Sequence, residues 1–325
     1  MKKVIGISIL ILSLSLASCG GLPNDPSNIT ANVTNTVSTN TTIDSVMGAD
    51  NISHRLNITS DGQLVVNTET VFQEISMHGE LEGKTAYNFH IMGRRAGFAS
   101  TTTFNDIKEF DISSNATFPA LTGVEALEVV SSSVNDNIAG TGARTVEVMY
   151  LDSSNNLTTS SLISMNGTSP VPAGFTANFI ISMEVMSLGT SEVSEGNIVL
   201  RTVAGSVIQE QITAGGNRSL SSHFMIPVNY TGYLVSWEGT SITTSGAAQQ
   251  QDVRIRATVD DEGNLSTVYH FLDNMFLSSG GVSPQRNLPY IKLPALTKIK
   301  ASTISTSLAT TARVDVSYHL FIVHN

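Results

Sequence analysis

The sequence predicts an all-β protein built from antiparallel β-sandwich or jelly-roll-like modules, and three observations support this prediction. The 325-residue chain is rich in Ser, Thr, Asn, Val and Ile and has few long runs with helical periodicity. Short apolar segments recur roughly every 8 to 12 residues, with turn-forming residues between them. Several segments alternate apolar and polar residues, as half-buried strands do. We expect two β modules after a disordered N-terminal tether.

The first 19 residues have the features of a bacterial lipoprotein signal segment. Lys2 and Lys3 precede an apolar run, Val4 to Ala17, which is shorter than the roughly 20 apolar residues of a spanning helix. The run ends in Leu16-Ala17-Ser18-Cys19, and Cys19 is the only cysteine of the chain. Cys19 is therefore the candidate lipidation site. The competing interpretation is a fortuitous apolar N-terminus.

Two weakly patterned regions follow this leader. Residues 20–42 consist largely of Asn, Thr, Ser and Pro, and they cannot bury enough apolar surface to fold alone, so they are predicted to form a flexible linker. Residues 43–93 are predicted to form an N-terminal β region. Its strands include Leu64-Val65-Val66, after an Asp61-Gly62 turn, and the later segment 86–91.

The central module, residues 94–237, contains the most informative stretch, Ser131 to Asp152. Here a polar loop leads through Gly140-Thr141-Gly142-Ala143-Arg144 into an alternating strand. The strand is expected to bury Val146, Val148 and Tyr150 on one face. The two glycines are expected to permit a chain reversal with positive φ.

Turn residues then predict a series of hairpins. Asp152 to Asn156 is predicted to form a turn, Leu157 to Met165 the returning strand, and Asn166-Gly167 a type I′ turn. Segments 179–186 and 196–200 are expected to form the next pair of strands. Residues 238–325, with alternation at 253–257 and 314–322, are expected to complete the sandwich or to form a second module.

The order of these loops and strands resembles a family of β-rich structural proteins from tailed phages and other large DNA viruses. The resemblance covers about residues 90 to 325 and is strongest from Ala126 to Trp237. It implies a virion component of the head, neck or tail surface that forms homo-oligomers and contacts other virion proteins and a host-surface receptor. The leader departs from the family pattern. The alternative is therefore a bacterial or phage-encoded surface lipoprotein, anchored at the outer membrane or cell surface only through Cys19.

Composition and motifs exclude several other functions. A net charge of −10 and the lack of clustered Lys and Arg argue against nucleic acid as a partner. The sequence contains no G-x-S-x-G, P-loop or HExxH motif, so we expect no enzyme activity, no catalytic residue and no cofactor. The seven histidines are scattered without the spacing of metal ligands. They are His54, His78, His90, His223, His270, His319 and His324.

Two further polar groups have alternative interpretations. Asp260, Asp261 and Asn264 could supply oxygen ligands to a surface calcium ion, or their segment could form a hairpin turn between the strands around Val253 and Val268. Arg254 and Arg256 lie on the same face of one strand. They are predicted either to meet carboxylates across a subunit contact or to be solvated.

Overall fold

The structure is a computed structural model, and every regular element that it describes is a β-strand. The described residues are 43–47, 53–58, 64–67, 85–98, 103–110, 118, 121, 125–243, 250–260, 262–278, 280–305 and 309–325. The leader with Cys19, the linker 20–42 and His78 lie outside these residues. The all-β, antiparallel prediction is confirmed.

The chain divides into two compact units, residues 1–67 and 68–325. The first unit contains an antiparallel sheet of three strands in the order β1-β2-β3, in which each strand pairs with the next one along the chain. Its strands are β1 (Ile43–Met47), β2 (Ser53–Ile58) and β3 (Leu64–Asn67).

The second unit contains two β-sandwiches, one inserted into the other. The jelly-roll lobe comprises β4 (Ala86–Phe98), β5 (Asn105–Asp106), β14 (His223–Met225), β15 (Tyr230–Thr243), β16 (Gln250–Val259), β17 (Leu265–Ser278), β18 (Val282–Leu293), β19 (Lys298–Ser305) and β20 (Ala309–His324). The inserted lobe comprises β6 (Glu125–Ser131), β7 (Ala143–Leu151), β8 (Leu157–Thr159), β9 (Ile163–Ser164), β10 (Val171–Ala177), β11 (Phe179–Leu188), β12 (Ile198–Thr202) and β13 (Ile208–Ile212).

The jelly-roll lobe is named for its strand order. One sheet has the order β18-β15-β20-β4 and the other β14-β19-β16-β17, with the short β5 added beside β19. Apart from β5, successive strands of this lobe alternate between the two sheets, except for the β16–β17 hairpin, and all pairs are antiparallel. This is the eight-strand connectivity of a double-sheet jelly roll.

The core of this lobe lies between its two sheets. Trp237, Ile255, Ile299 and Leu320 are fully buried there, at alternating positions of β15, β16, β19 and β20. The Trp237 indole N–H donates to Oδ2 of Asp273 at 2.9 Å, so this large side chain is buried without an unpaired donor.

The inserted lobe packs the sheet β10-β6-β12-β13 against the sheet β11-β7-β8, with β9 also paired to β7. Val146 and Val148 are fully inaccessible and Tyr150 is 9% exposed, which agrees with the predicted register of β7. The expected strands at segments 179–186 and 196–200 are both present, but they lie in different sheets. The first forms β11 and pairs with β7, whereas the second forms most of β12 and pairs with β6 and β13.

The sheet β11-β7-β8 contributes to both hydrophobic cores. Val148 faces the core of the inserted lobe, whereas Leu151 and Ile181 pack into the core of the jelly-roll lobe, with Met149 and Phe179 partly buried beside them. The second face of β7 is therefore covered by protein rather than by solvent, and the two lobes share this sheet as a common layer.

The module boundaries in the structure differ from the predicted ones. The predicted boundary after residue 93 falls inside β4, and the predicted boundary after residue 237 falls inside β15. Both strands pair with β20, so the N-terminal strand β4 and the C-terminal strands belong to one sheet. Of the predicted alternatives, residues 238–325 do form a second sandwich, together with β4, β5, β14 and β15.

Candidate functional site

The loop between β6 and β7, which carries the sequence motif, is organised around a buried aspartate. Asp136 is 0% exposed. Its Oδ1 accepts hydrogen bonds from the backbone N–H groups of Ala143 (2.8 Å) and Glu195 (2.9 Å), and its Oδ2 accepts from Gly196 N–H (2.8 Å) and Ser131 Oγ (2.6 Å). One carboxylate thereby connects this loop to the loop that precedes β12.

The glycines of this motif are required by close approach rather than by positive φ. Neither Gly140 nor Gly142 has a positive φ, which corrects the expectation from the sequence. A Cβ at Gly142 would lie 2.1 Å from Oδ1 of Asp136, and one at Gly140 would lie 2.0 Å from the carbonyl oxygen of Asn135. The motif therefore has a structural role, because its polar groups form the hydrogen bonds that fix the conformation of the loop.

Two hairpin loops of this unit share one arrangement of hydrogen bonds. In the first, the backbone N–H groups of Ser154 and Asn156 donate to Oδ1 of Asp152, and Asn155 has a φ of 63°. This confirms the predicted turn from Asp152 to Asn156. The backbone hydrogen bonds hold the pKa of Asp152 below its usual value, with that from Asn156 having the largest effect.

The calcium candidate occupies the second of these loops, which joins β16 to β17. The N–H groups of Glu262 and Asn264 donate to Oδ1 of Asp260 at 3.0 and 2.7 Å, and Gly263 has a φ of 84°. Asp261 lies outside the described residues. Turn formation accounts for Asp260 and Asn264, and calcium binding by the segment stays a prediction.

The turn at Asn166-Gly167 differs from the predicted type I′. Ser169 N–H donates to the carbonyl of Asn166, and Gly167 has a φ of 61°. Asn166 and Thr168 do not have positive φ values. A type I′ turn needs positive φ at both central residues, so the one glycine indicates a type II′ geometry.

The described histidines do not converge on a metal site. No group of three or more potential metal ligands is present in the described part of the chain. His90 and His319 stack with ring centroids 4.5 Å apart. Burial lowers the pKa of His90, and the neighbouring His319 lowers it further. His270 contacts Ser266 at 3.0 Å, and His324 lies edge-on to Tyr230.

Arg254 and Arg256 find carboxylates within the chain, so neither predicted alternative describes them fully. Arg254 pairs with Asp252 at 2.7 Å and lies 4.1 Å from the ring centroid of Phe104. Arg256 approaches Asp106 at 3.5 Å and donates to Ser302 Oγ at 2.6 Å. Both arginines remain partly exposed on the outer face of the sheet.

Asp106 is the centre of a buried polar cluster on that face. Its Oδ2 accepts from the Lys300 ammonium and from the backbone N–H of Phe118, both at 2.8 Å, and its Oδ1 accepts from Ser302 at 2.9 Å. Burial lowers the pKa of Lys300 while Asp106 opposes this effect. Burial raises the pKa of the adjacent Tyr269 to about 12.

An open cleft of about 560 Å³ lies between the outer face of this sheet and the inserted lobe. His223 lines it and is 5% exposed, with its ring packed between Phe118 (4.0 Å) and Phe179 (4.8 Å). Sequence reasoning did not single out the cleft. Its residues come from distant parts of the chain, and no local pattern brings them together.

A second exposed feature is the outer strand β17. In the described ladder it is the last strand of its sheet and pairs with β16 alone. Val268, Phe271 and Phe276 are 58%, 52% and 71% exposed, and we call these three side chains with the free strand edge the β17 edge surface. The strand contains no Pro, Lys or Arg, the residues that commonly protect an exposed edge from pairing.

The described part of the chain contains no helix with the length and apolar character needed to cross a membrane. Cys19 lies outside that part, so its lipidation stays a prediction.

Comparison with known proteins gives little further information. No protein-family model and no curated protein gives a significant match. Over 84% of its length the chain is 12% identical to a chain of infectious bursal disease virus, Gt strain, of which it spans 64%, with a TM-score of 0.18. It covers 96% of the stem and receptor binding domain of spike protein P1 from bacteriophage PM2, with 8% identity over 74% of this chain and a TM-score of 0.17. Infectious bursal virus derived T=1 particles give 14% identity and a TM-score of 0.17. At these TM-scores the likeness carries no functional argument.

Proposed function

We propose that the protein is a non-enzymatic structural component of a virus particle, which assembles with its own copies and with other particle proteins. The observation that carries the proposal is the jelly-roll lobe with a second sandwich inserted between β5 and β14. Double-sheet jelly rolls are used by viral capsid proteins, and also by lectins and cupins, so the fold supports the proposal by analogy. The motif resemblance from Ala126 to Trp237 favours the viral class among these.

The proposed assembly contact is the β17 edge surface. A 14-residue outer strand with exposed aromatic side chains and without Pro, Lys or Arg is a template for pairing with another strand. Burial of Phe271 and Phe276 would remove apolar surface from water, at about 25 cal/mol for each Å². The Ser-, Thr- and Asn-rich loops remain available for contact with a host-surface receptor.

Association of the purified full chain in solution tests this contact. We expect sedimentation velocity to show concentration-dependent oligomers. Phe276→Lys should weaken the association constant at least about tenfold, since burial of a phenylalanine is worth about 1.5–3 kcal/mol. Val134→Lys is the matched control, because Val134 is 66% exposed in a loop of the inserted lobe and should leave association unchanged. A monomer at all concentrations, or equal effects of the two variants, contradicts the proposal.

The second candidate function is a lipid-anchored surface lipoprotein, which the sequence Leu16-Ala17-Ser18-Cys19 favours. In a bacterial host, labelled palmitate should then enter the protein, and Cys19→Ser should abolish the label. The acyl chains would hold the protein at the membrane with about 0.8 kcal/mol for each buried CH₂ group. Unlabelled, full-length, soluble protein would exclude this candidate.

A further inference from the structure

The cleft between the two lobes has the size and the mixed apolar and polar lining of a site for a small amphipathic ligand. Its floor is the outer face of the sheet β14-β19-β16-β17, and its opposite wall comes from the inserted lobe. Apolar and aromatic side chains make up about half of the lining and polar or charged side chains the other half, and the volume of about 560 Å³ suits a small organic molecule. Phe118, Leu121, Phe179, Ile180, Leu265 and Leu296 form the apolar part.

The charged side chains of the cleft favour a negatively charged ligand. Lys298, Lys300 and His223 line it, whereas no Asp or Glu is among its described lining residues, in a protein whose net charge is −10. Lys300 is already neutralised by Asp106 at 2.8 Å. Lys298 forms no ion pair with any described carboxylate, so its charge is available to an anion.

His223 provides an independent indication of a missing partner. It is 95% buried, and neither ring nitrogen has a hydrogen-bond partner among the described residues. Nε2 lies 3.5 Å from Oε2 of Glu210, an ion-pair contact when the ring is protonated, so Nδ1 is the ring nitrogen left without any partner. Buried polar atoms are normally paired, so an unpartnered ring nitrogen in the wall of a cleft requires a partner from outside the described residues, and a polar ligand atom can supply it.

The strand register places the two groups side by side. His223 is opposite Lys300 and Met225 is opposite Lys298 in the β14–β19 ladder, so His223 and Lys298 are diagonal neighbours on one face of the sheet. Diagonal neighbours are about 7–8 Å apart at the backbone, a separation that one carboxylate can bridge between two side chains.

From this geometry we propose that the cleft binds a small organic carboxylate with an apolar, aromatic-sized body. The Lys298 ammonium and a His223 ring N–H donate to the carboxylate, while the body packs against Phe118, Leu121 and Leu265. Leu265 lies in β17, but Lys298, His223, Phe118 and Leu121 do not, and none of the five is Val268, Phe271 or Phe276, so ligand binding can be measured separately from assembly.

Titration of the purified full chain with 2-naphthoate, followed by its fluorescence and by calorimetry, tests the proposal. We expect saturable binding of one molecule per chain with a Kd below about 1 mM. The neutral isostere 2-naphthamide should bind at least about tenfold more weakly, because it lacks the charge that Lys298 recognises. Equal binding of the two compounds, or no saturable binding of 2-naphthoate, overturns the proposal.

Variants locate the binding. Lys298→Glu should weaken 2-naphthoate binding at least about tenfold, whereas Lys292→Glu, the same charge change at an exposed position outside the cleft, should leave it unchanged. Thr267→Trp adds bulk from an exposed lining position and should abolish binding while the thermal unfolding temperature is retained. Binding that survives both Lys298→Glu and Thr267→Trp refutes the assignment to this cleft.

Discussion

Replacement of Asp136 by asparagine is expected to destabilise the inserted lobe more than an ordinary polar substitution does. The carboxylate accepts four hydrogen bonds in a site that is 0% exposed, three of them from backbone N–H groups. Asparagine keeps one acceptor oxygen and presents an NH₂ group to the remaining donors. The Ser131 hydroxyl can rotate to accept from this group, but the backbone N–H of Gly196 cannot.

The magnitude follows from these contacts. The two hydrogen bonds to Oδ1 fall from the charged range, about 1.5–3 kcal/mol, to the neutral range, about 0.5–1.5 kcal/mol, and lose about 1 kcal/mol each. One buried N–H left unpaired costs about 1–3 kcal/mol more, so the total is about 3–5 kcal/mol. For a unit of this size that corresponds to a fall of about 6–20 °C in Tm. The free energy of unfolding of a typical domain is about 5–15 kcal/mol, and Asp136→Asn should remove a large part of it.

Far-UV circular dichroism during thermal and denaturant unfolding measures this loss in both lobes. Trp237 fluorescence reports separately on the jelly-roll lobe, because the indole is buried in that core. Asp152→Asn is the matched control, since Asp152 accepts similar backbone hydrogen bonds in an exposed turn and should cost less than about 1 kcal/mol. Equal destabilisation by the two variants would refute the structural role assigned to Asp136.

Three further predictions concern single side chains. Val148→Asp should lower the free energy of unfolding by more than about 4 kcal/mol and prevent folding of the inserted lobe, because it buries an unpaired carboxylate. In denaturant titrations Glu147→Asp, on the other face of β7, should lower it by less than about 1 kcal/mol. A folded Val148→Asp protein would show that the register of β7 is wrong. Gly142→Ala should lower Tm by more than Gly174→Ala. A Cβ at Gly142 meets Oδ1 of Asp136 at 2.1 Å, whereas one at Gly174 meets no atom within 4 Å and strains only the backbone, which has a φ of 78° there. The reverse order would contradict the role assigned to Gly142. The pKa of Tyr269 is raised to about 12, so the folded protein keeps the phenol proton at pH values near 10 and above, where the unfolded chain has lost it. The free energy of unfolding that this difference contributes is fully present below pH 10 and is lost as the pH rises towards 12. Tyr269→Phe should reduce this alkaline loss of stability, and an unchanged pH profile would contradict the prediction.

Local chemistry made many elements of the fold predictable. The turn at Asp152 follows from an aspartate that accepts backbone N–H groups and a residue that tolerates positive φ. The register of β7 follows from the alternation of Val146, Val148 and Tyr150. Each of these features depends on residues close together in the sequence.

Non-local pairing was not predictable in the same way. The chain leaves the jelly-roll lobe after β5, forms the complete inserted lobe and returns at β14 to pair with β19. Nothing in the local pattern of either segment indicates that partner, so the predicted module boundaries followed the order of the sequence. The position of the sheet β11-β7-β8 is also non-local. This sheet has apolar residues on both faces because it lies between the cores of the two lobes.

The candidate sites show the same division. The sequence identified the motif at Gly140 and Gly142 but not its cause, because the atoms that crowd these glycines, the Asn135 carbonyl at Gly140 and the Asp136 carboxylate at Gly142, approach them only in the folded loop. The cleft combines His223 and Lys298 with the wall of the inserted lobe, and only the folded ladder brings them together.

Quantitative mass spectrometry of purified particles tests the proposed virion role most directly. Particles from the system that encodes this chain should contain its peptides from residues 68–325 in a fixed ratio to the other particle proteins, and the ratio should persist through density-gradient purification. Absence of these peptides from the particles, together with recovery of the protein from the membrane fraction with an acylated Cys19, would contradict the virion role and favour the surface lipoprotein.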